Sequence, residues 1–143
     1  LAARHPDGGM DGEDRTGFER FLRCSWGETE IWRFSLNQEL LGCAVVDVLP
    51  NGFSAVYTFF DPDPVHASRG IGTYAVLSQI AFARAEARSH VWLGYWVPGC
   101  NKMAYKERFL PQERLQHDQW HTIAVPPGMN DNAGLAQTKC QTK

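Results

Sequence analysis

Two apolar runs joined by a tight turn constrain the fold of this chain more than any other feature. The first, residues 40–49 (LLGCAVVDVL), is rich in β-branched side chains and suits a central strand. Pro50-Asn51-Gly52 has the composition of a hairpin turn, and residues 53–60 (FSAVYTFF) form the returning run. Asp61-Pro62-Asp63-Pro64 ends that run, because proline offers no N–H group to a strand ladder. The sequence therefore predicts an antiparallel pair that stops at a proline-flanked carboxylate.

Helical and extended patterns flank this pair. They predict helices over 16–23, 70–88 and 101–109, and strands over 30–36, 91–97 and 119–125. Apolar residues recur at helical spacing in the long helix (Tyr74, Leu77, Ile80, Ala81 and Ala85), and Trp120 and Ile123 are the expected core of the last strand. A meander that enters a strand–helix–strand crossover predicts an α+β fold with strands 53–60 and 91–97 parallel and adjacent. Where these strands part, beneath the helix N-terminus, we expect a cleft.

Composition limits the class of protein. A chain of 143 residues with 43% hydrophobic residues suits one folded domain, predicted over 1–125, with a disordered tail over 126–143. The net charge of −2 gives no global attraction to nucleic acid. Charge is uneven, however, with +3 over residues 84–108 and −3 over residues 1–30. Any polynucleotide contact is therefore expected at a local patch.

Cysteine usage and hydropathy favour the cytoplasm. The four cysteines, Cys24, Cys43, Cys100 and Cys140, fit no zinc spacing, so we expect free thiols in a reducing compartment and no metal site. No signal peptide and no apolar run of membrane-spanning length is present, so no membrane partner is expected. The chain begins with Leu1 rather than methionine, and we expect further sequence upstream.

The loop before the long helix suits an anion. Glycines at a strand–helix junction let backbone N–H groups approach a ligand, and Arg69 adds a positive fork near Gly70, Gly72 and Thr73. A plain helix-entry loop is the alternative. The loop and strand order resemble the GNAT fold of acyl-CoA-dependent N-acyltransferases, a mixed sheet flanked by helices. Tyr74 stands where that family has Gly or Ala, which argues against CoA.

A more specific resemblance rests on six ordered motifs between residues 1 and 125. They are residues 4–10 (RHPDGGM), 44–47 (AVVD), 54–63 (SAVYTFFDPD), 72–75 (GTYA), 93–97 (LGYWV) and 102–111 (KMAYKERFLP). Together they resemble the C-terminal domain of the arginyltransferase family, and most closely its bacterial branch, the aspartate/glutamate leucyltransferases. The resemblance implies a GNAT-like fold that uses aminoacyl-tRNA as co-substrate, with no cofactor in this chain. It also implies an upstream domain with a cysteine cluster, protein substrates with acidic N-termini, and a role in marking them for degradation.

The reaction implied by this resemblance is attack of an α-amine on an aminoacyl ester. Asp61, at the end of its strand, is the candidate base or amine-positioning group; a turn cap before Pro62 is the alternative. Tyr57, four residues upstream on the same strand face, could donate to the ester oxygen or be a core aromatic. Tyr105 is the third candidate catalytic residue.

Further candidates would hold the substrates. Lys102 and Lys106 are four apart and are expected to share a helical face beside Tyr105 and Arg108, facing tRNA phosphates, an acidic N-terminus or only solvent. Tyr95 and Trp96 point to opposite faces, so one can stack on the terminal adenine while the other, most simply Trp96, lies in the core. His5 is a candidate proton carrier or an ordinary loop histidine.

Three functions remain open on the sequence. The first is an aminoacyl-tRNA–protein transferase, with leucine favoured over arginine by the bacterial resemblance. The second is an acyl-CoA-dependent N-acetyltransferase with the same fold. The third is a non-catalytic fragment that only binds N-termini or tRNA ends.

Overall fold

A computed structural model describes residues 15–23, 27–124 and 137–142 of the chain. Within these residues the fold is α+β, with seven strands in one mixed sheet of order β1-β2-β3-β4-β7-β5-β6. The strands are β1 (Glu28–Leu36), β2 (Glu39–Leu49), β3 (Gly52–Phe60), β4 (His90–Trp96), β5 (Gln112–Gln116), β6 (Gln119–Ile123) and β7 (Gln137–Thr142). The helices are α1 (Arg15–Leu22), α2 (Pro64–Ala67), α3 (Ile71–Ala85) and a 3₁₀ helix (Ala104–Arg108).

Strands β1, β2 and β3 form the antiparallel meander that the sequence predicts. The β1–β2 turn places Asn37 and Gln38 at φ 49° and 71°. Two-residue hairpin turns favour positive φ at both central residues, because the turn then has the same twist as the strands that it joins. The β2–β3 turn lies at Pro50 and Asn51, as expected from its composition. The prediction of three antiparallel strands is confirmed.

The crossover from β3 through α3 to β4 is parallel, as predicted. Only the first residues of the two strands pair, with Gly52, Phe53 and Ser54 opposite His90, Val91 and Trp92. A Cβ atom at Gly52 would lie 2.0 Å from the backbone oxygen of His90, so glycine permits this close approach. Beyond Ser54 the ladder ends, and the strands no longer pair.

The core lies between α3 and the sheet. The buried residues of α3 are Ile71, Ala75, Val76, Gln79, Ile80 and Ala83. They face a cluster on β2, β3 and β4 that includes Val46, Phe53 and Val91. Of the residues picked out by their spacing, only Ile80 is buried, while Tyr74 and Leu77 are 56% and 44% exposed. Because α3 is apolar around most of its circumference, periodicity alone did not identify its inner face.

Helix α1 covers the other face of the sheet. The ring of Phe18 contacts Phe59 at 5.6 Å between centroids, and Phe21 contacts Tyr57 at 6.1 Å, both edge to face. Cys43 and Cys100 are half-buried free thiols, as the sequence predicts. The helix expected over 101–109 is shorter and of the tighter 3₁₀ type.

The C-terminal part of the sheet differs from the prediction. Strand β6 is exposed at the sheet edge, and Trp120 and Ile123 are 39% and 38% exposed rather than core residues. Strand β5, absent from the prediction, pairs with β6 through a turn at His117 and Asp118. Strand β7 pairs in parallel with β4 and β5, so the expected disordered tail is wrong for residues 137–142. Polar sequence without alternation gave no strand signal there.

Candidate functional site

A cavity of about 460 Å³ opens beside β3, at the C-terminal side of the point where its pairing with β4 ends. The end of β3, the α2 segment, the start of α3 and the segment after β4 form its walls. The lining residues are Ala55, Val56, Tyr57, Thr58, Phe60, Asp61, Pro62, Asp63, His66, Gly70, Ile71, Gly72, Thr73, Val76, Lys102 and Tyr105. The cleft predicted beneath the helix N-terminus is therefore present.

A β-bulge in β3 lies at the cavity, which Ala55, Val56 and Tyr57 line. Val46 pairs with Ala55 and Val45 with Tyr57, which leaves Val56 as the extra residue. As a result, Ala55 packs against the α3 core, whereas the ring of Tyr57 contacts Phe21 on the opposite face of the sheet. Tyr57 is therefore a packed aromatic residue that also lines the cavity.

The carboxylate of Asp61 holds a turn at the cavity edge. Its backbone N–H donates to the Leu41 oxygen at 3.0 Å, and its Oδ1 accepts from the Asp63 N–H at 2.9 Å. Asp63 in turn caps α2 by accepting from the Val65 N–H at 2.9 Å. Within the described chain, the second carboxylate oxygen of Asp61 has no hydrogen-bond partner. The turn role is therefore observed, and one oxygen remains for a ligand.

The first turn of α3 presents backbone N–H groups at the cavity. Gly70 caps the helix in the left-handed region, at φ 57°, and has no side chain that could accept from the first-turn N–H groups. Gly70, Gly72 and Thr73, the residues of the predicted anion cradle, line the cavity. Arg69 is exposed and is not among the lining residues.

Tyr74 does not narrow this cavity. Its ring lies 5.6 Å from that of Phe34, and it is not a lining residue. The sequence suggested that a bulky side chain at position 74 would disfavour CoA. Tyr74 is not part of the cavity wall, so its bulk does not obstruct a ligand there.

The segment after β4 contributes one cation to the cavity. Lys102 and Tyr105 line the cavity, whereas Lys106 is buried and its Nζ donates to the Tyr95 oxygen. The prediction that Lys102 and Lys106 share a helical face is wrong, because the helix begins after Lys102. Lys102 reaches the cavity from the turn before the 3₁₀ helix, and Tyr105 reaches it from the helix itself. Arg108 is exposed, outside the lining.

The aromatic residues of β4 separate as predicted. Trp96 is buried, with the Arg114 guanidinium 3.9 Å from its ring centroid, and Tyr95 is 54% exposed on the other side. Tyr95 is not among the cavity residues. His5 lies outside the described residues. His66 was not among the predicted site residues, although it lines the cavity. Only its place in the loop before α3 could have signalled it.

The described ranges contain neither a metal-binding cluster nor a membrane-spanning helix. Across residues 15–23, 27–124 and 137–142, no three His, Cys, Asp or Glu side chains form a group able to hold a metal ion. None of the helices in those ranges is long and apolar enough to cross a membrane.

Comparison with known families places these residues in context. Residues 1–116, which include the whole cavity lining, match the family model described as arginine-tRNA-protein transferase, C terminus. The chain belongs to this family. An aspartate/glutamate leucyltransferase of Stenotrophomonas maltophilia is 50% identical over 127 residues, or 85% of this chain and 50% of the relative. One from Aeromonas hydrophila is 44% identical over 127 residues, 89% of this chain and 52% of the relative.

The chain spans about half the length of the curated relatives that it matches. Membership of the family confirms the resemblance stated from the six sequence motifs.

Proposed function

We propose that this chain is the catalytic part of an enzyme that transfers leucine from aminoacyl-tRNA to the N-terminal amine of proteins beginning with Asp or Glu. Such transfer marks these proteins for degradation. The supporting observation is the similarity, at 44–50% identity, to relatives named aspartate/glutamate leucyltransferase, over a stretch that includes every cavity residue. Arginine, the amino acid named in the family's description, is the alternative amino acid for transfer.

The reaction needs a group that accepts a proton from the attacking amine and a group that donates a hydrogen bond to the ester oxygen. The neutral α-amine attacks the ester carbonyl carbon, a C–N bond forms, and the carbonyl π electrons move to oxygen. Collapse of this intermediate restores the carbonyl and breaks the bond to the 3′-oxygen of the terminal adenosine. The new amide nitrogen loses one proton, and the 3′-oxygen gains one. Asp61 is the candidate to orient the amine and take its proton, with Tyr57 and Tyr105 as hydroxyl groups near the ester.

Lys102 suits recognition of an acidic N-terminal side chain. It is exposed in a cavity that also holds Asp61, so an N-terminal Asp or Glu would meet a cation for its carboxylate and an anion for its ammonium. This pairing of charges supports the choice of acidic substrates.

The α3 N-terminus suits the acceptor end of aminoacyl-tRNA. Its free N–H groups and the helix dipole favour a phosphate near Gly70, Gly72 and Thr73. Arg69, Arg108 and Tyr95 are exposed outside the cavity and are the proposed contacts for the rest of that end. Lys106 would support this surface indirectly, through the Tyr95 backbone, and His5 remains a proposed contact by resemblance alone.

The GNAT-like description of the domain over residues 1–125 is part of this proposal. It is supported by the parallel strands β3 and β4, which stop pairing beneath the N-terminus of α3. An upstream domain of the same protein and the absence of a cofactor in this chain are proposed on the same resemblance. The cytoplasm is proposed from cysteine usage and hydropathy.

The test is transfer of labelled leucine from charged tRNA to peptides that begin with Asp, Glu or Asn. It uses the protein with all the sequence that its gene encodes. Transfer to the Asp and Glu peptides, and not to the Asn peptide, is expected; no transfer to any of them, with charged tRNA in excess, would refute the proposal.

An acyl-CoA-dependent transferase is a second candidate, because Tyr74 leaves the glycine-containing helix start open. A calorimetric titration with acetyl-CoA separates the two functions. Binding at micromolar concentration together with acetyl transfer would favour this second candidate.

A further inference from the structure

His66 is a polar residue of the cavity for which the proposed reaction has so far no use. It lies in α2, between the capped turn at Asp63 and the start of α3. Its backbone N–H donates to the Asp63 oxygen at 2.9 Å, and its backbone oxygen accepts from the Arg69 N–H at 3.0 Å. The main chain on both sides is thus hydrogen-bonded, and the half-buried His66 is one of the residues that line the cavity.

The two ring nitrogens of His66 have different surroundings. Nδ1 is out of contact with solvent and has no hydrogen-bond partner among the described residues. A buried N–H group without an acceptor is costly, more so than an unused acceptor lone pair. In the neutral ring the hydrogen therefore belongs on Nε2, which leaves Nε2–H as the donor that this cavity residue can offer to a ligand.

We propose that His66 donates a hydrogen bond from Nε2–H to the carbonyl oxygen of the aminoacyl ester. This inference rests on the proposed function. As the amine attacks, the carbonyl oxygen becomes an oxyanion, and a fixed donor stabilises it more than it stabilises the ester. His66 neither gains nor loses a proton in this step; the proton balance is that of the transfer reaction described above.

The charges of the cavity favour a neutral donor such as His66 for this oxygen over Asp61 and Lys102. Asp61 suits the substrate ammonium, and Lys102 suits the acidic side chain. A neutral donor beside the α3 N-terminus suits an oxygen whose negative charge appears only during the reaction, since the first-turn N–H groups favour the same charge.

The tautomer of His66 can be measured without any activity. Long-range ¹H–¹⁵N correlation spectra of the uniformly ¹⁵N-labelled protein distinguish the two neutral forms of a histidine ring. The inference predicts that His66 carries its hydrogen on Nε2. A ring protonated on Nδ1 in the neutral form would overturn it.

Substitutions identify which nitrogen acts. The amide nitrogen of glutamine can occupy the place of Nε2, whereas that of asparagine reaches only as far as Nδ1. His66→Gln should retain most of the transfer rate, while His66→Asn and His66→Ala should lower kcat by about 10²–10³-fold with little change in KM for charged tRNA. His117→Asn is the matched control, because His117 is exposed in the β5–β6 turn at a positive φ that asparagine tolerates.

The outcomes separate the two claims. If the wild-type protein transfers no leucine, the proposed function fails and this role falls with it. If the wild type transfers leucine and His66→Asn does so equally well, only the role of His66 is refuted. A rise in KM with unchanged kcat, in variants whose circular dichroism spectra match the wild type, would likewise refute it.

Discussion

Asp61 uses one carboxylate for two purposes that a conservative substitution can separate. Its Oδ1 holds the turn by accepting from the Asp63 N–H, and its other oxygen remains for a ligand in the cavity. An asparagine at this position keeps the Oδ1 acceptor but removes the charge and the basic oxygen.

We therefore expect Asp61→Asn to lower kcat for leucyl transfer by about 10²-fold or more, the range for loss of a positioned acid–base group. The free energy of unfolding should change by no more than about 0.5 kcal/mol. Steady-state transfer kinetics and urea denaturation measure the two effects. Asp118→Asn, in an exposed turn outside the cavity, is the matched control. Wild-type kinetics in Asp61→Asn would remove Asp61 from the chemistry.

Lys102 is expected to set the preference for acidic N-termini. Lys102→Gln should weaken use of Asp- and Glu-peptides by about 10-fold, since hydrogen bonds to charged groups contribute roughly 1.5–3 kcal/mol. The kcat/KM ratio between Glu- and Gln-peptides measures the preference directly and should fall. Arg33→Gln, on the exposed edge strand β1, should leave that ratio unchanged. If the kcat/KM ratio is unaltered in Lys102→Gln, a residue other than Lys102 recognises the acidic side chain.

At the scale of elements, the contact between β3 and β4 depends on Gly52. An added Cβ would meet the His90 backbone oxygen at 2.0 Å, so the strands would have to move apart where they pair. Gly52→Ala should destabilise the protein by about 1–3 kcal/mol, the usual cost of overpacking.

Gly72→Ala provides the comparison, because a Cβ there would lie 3.4 Å from the Phe60 ring, an ordinary contact, in a helix that favours alanine. Thermal and urea unfolding of both variants should show a loss of stability only for Gly52→Ala. Equal stability of the two would mean that the close approach of β4 to β3 does not hold in solution.

The elements differ in how well the sequence predicted them. The meander and crossover were predictable because β-branched runs, a Pro-Asn-Gly turn and a long helical segment are local signals. Strand β7 was not, because its polar residues join the sheet only through long-range pairing with β4 and β5.

The cavity shows the same division. Asp61, Gly72 and Lys102 were predictable because motif and position agree. The burial of the Lys106 side chain depends on the 3₁₀ geometry of its helix. The contact of Tyr74 with Phe34 depends on which face of α3 packs against the sheet. Neither follows from the spacing of residues along the chain.

For the whole molecule, the reaction has a pH dependence set by the substrate amine. Only the neutral amine attacks, and a free α-amino group has a pKa of about 7.7–8.0. At peptide concentrations below KM, the transfer rate should rise about tenfold per pH unit below that pKa and level off above it. Rates measured from pH 6 upwards, corrected for ester hydrolysis of the charged tRNA, test this; a rate that falls with rising pH would contradict it.

The full transfer reaction is the activity to measure, because this chain matches about half of each relative and carries the cavity described above. The most direct measurement is transfer of ¹⁴C-leucine from leucyl-tRNA to a peptide with N-terminal Asp, by the protein with its complete encoded sequence. We predict acid-stable leucine on the peptide N-terminus, and its loss in Asp61→Asn. Absence of labelled peptide with ¹⁴C-leucyl-tRNA and with ¹⁴C-arginyl-tRNA alike, from correctly folded protein, would contradict the account.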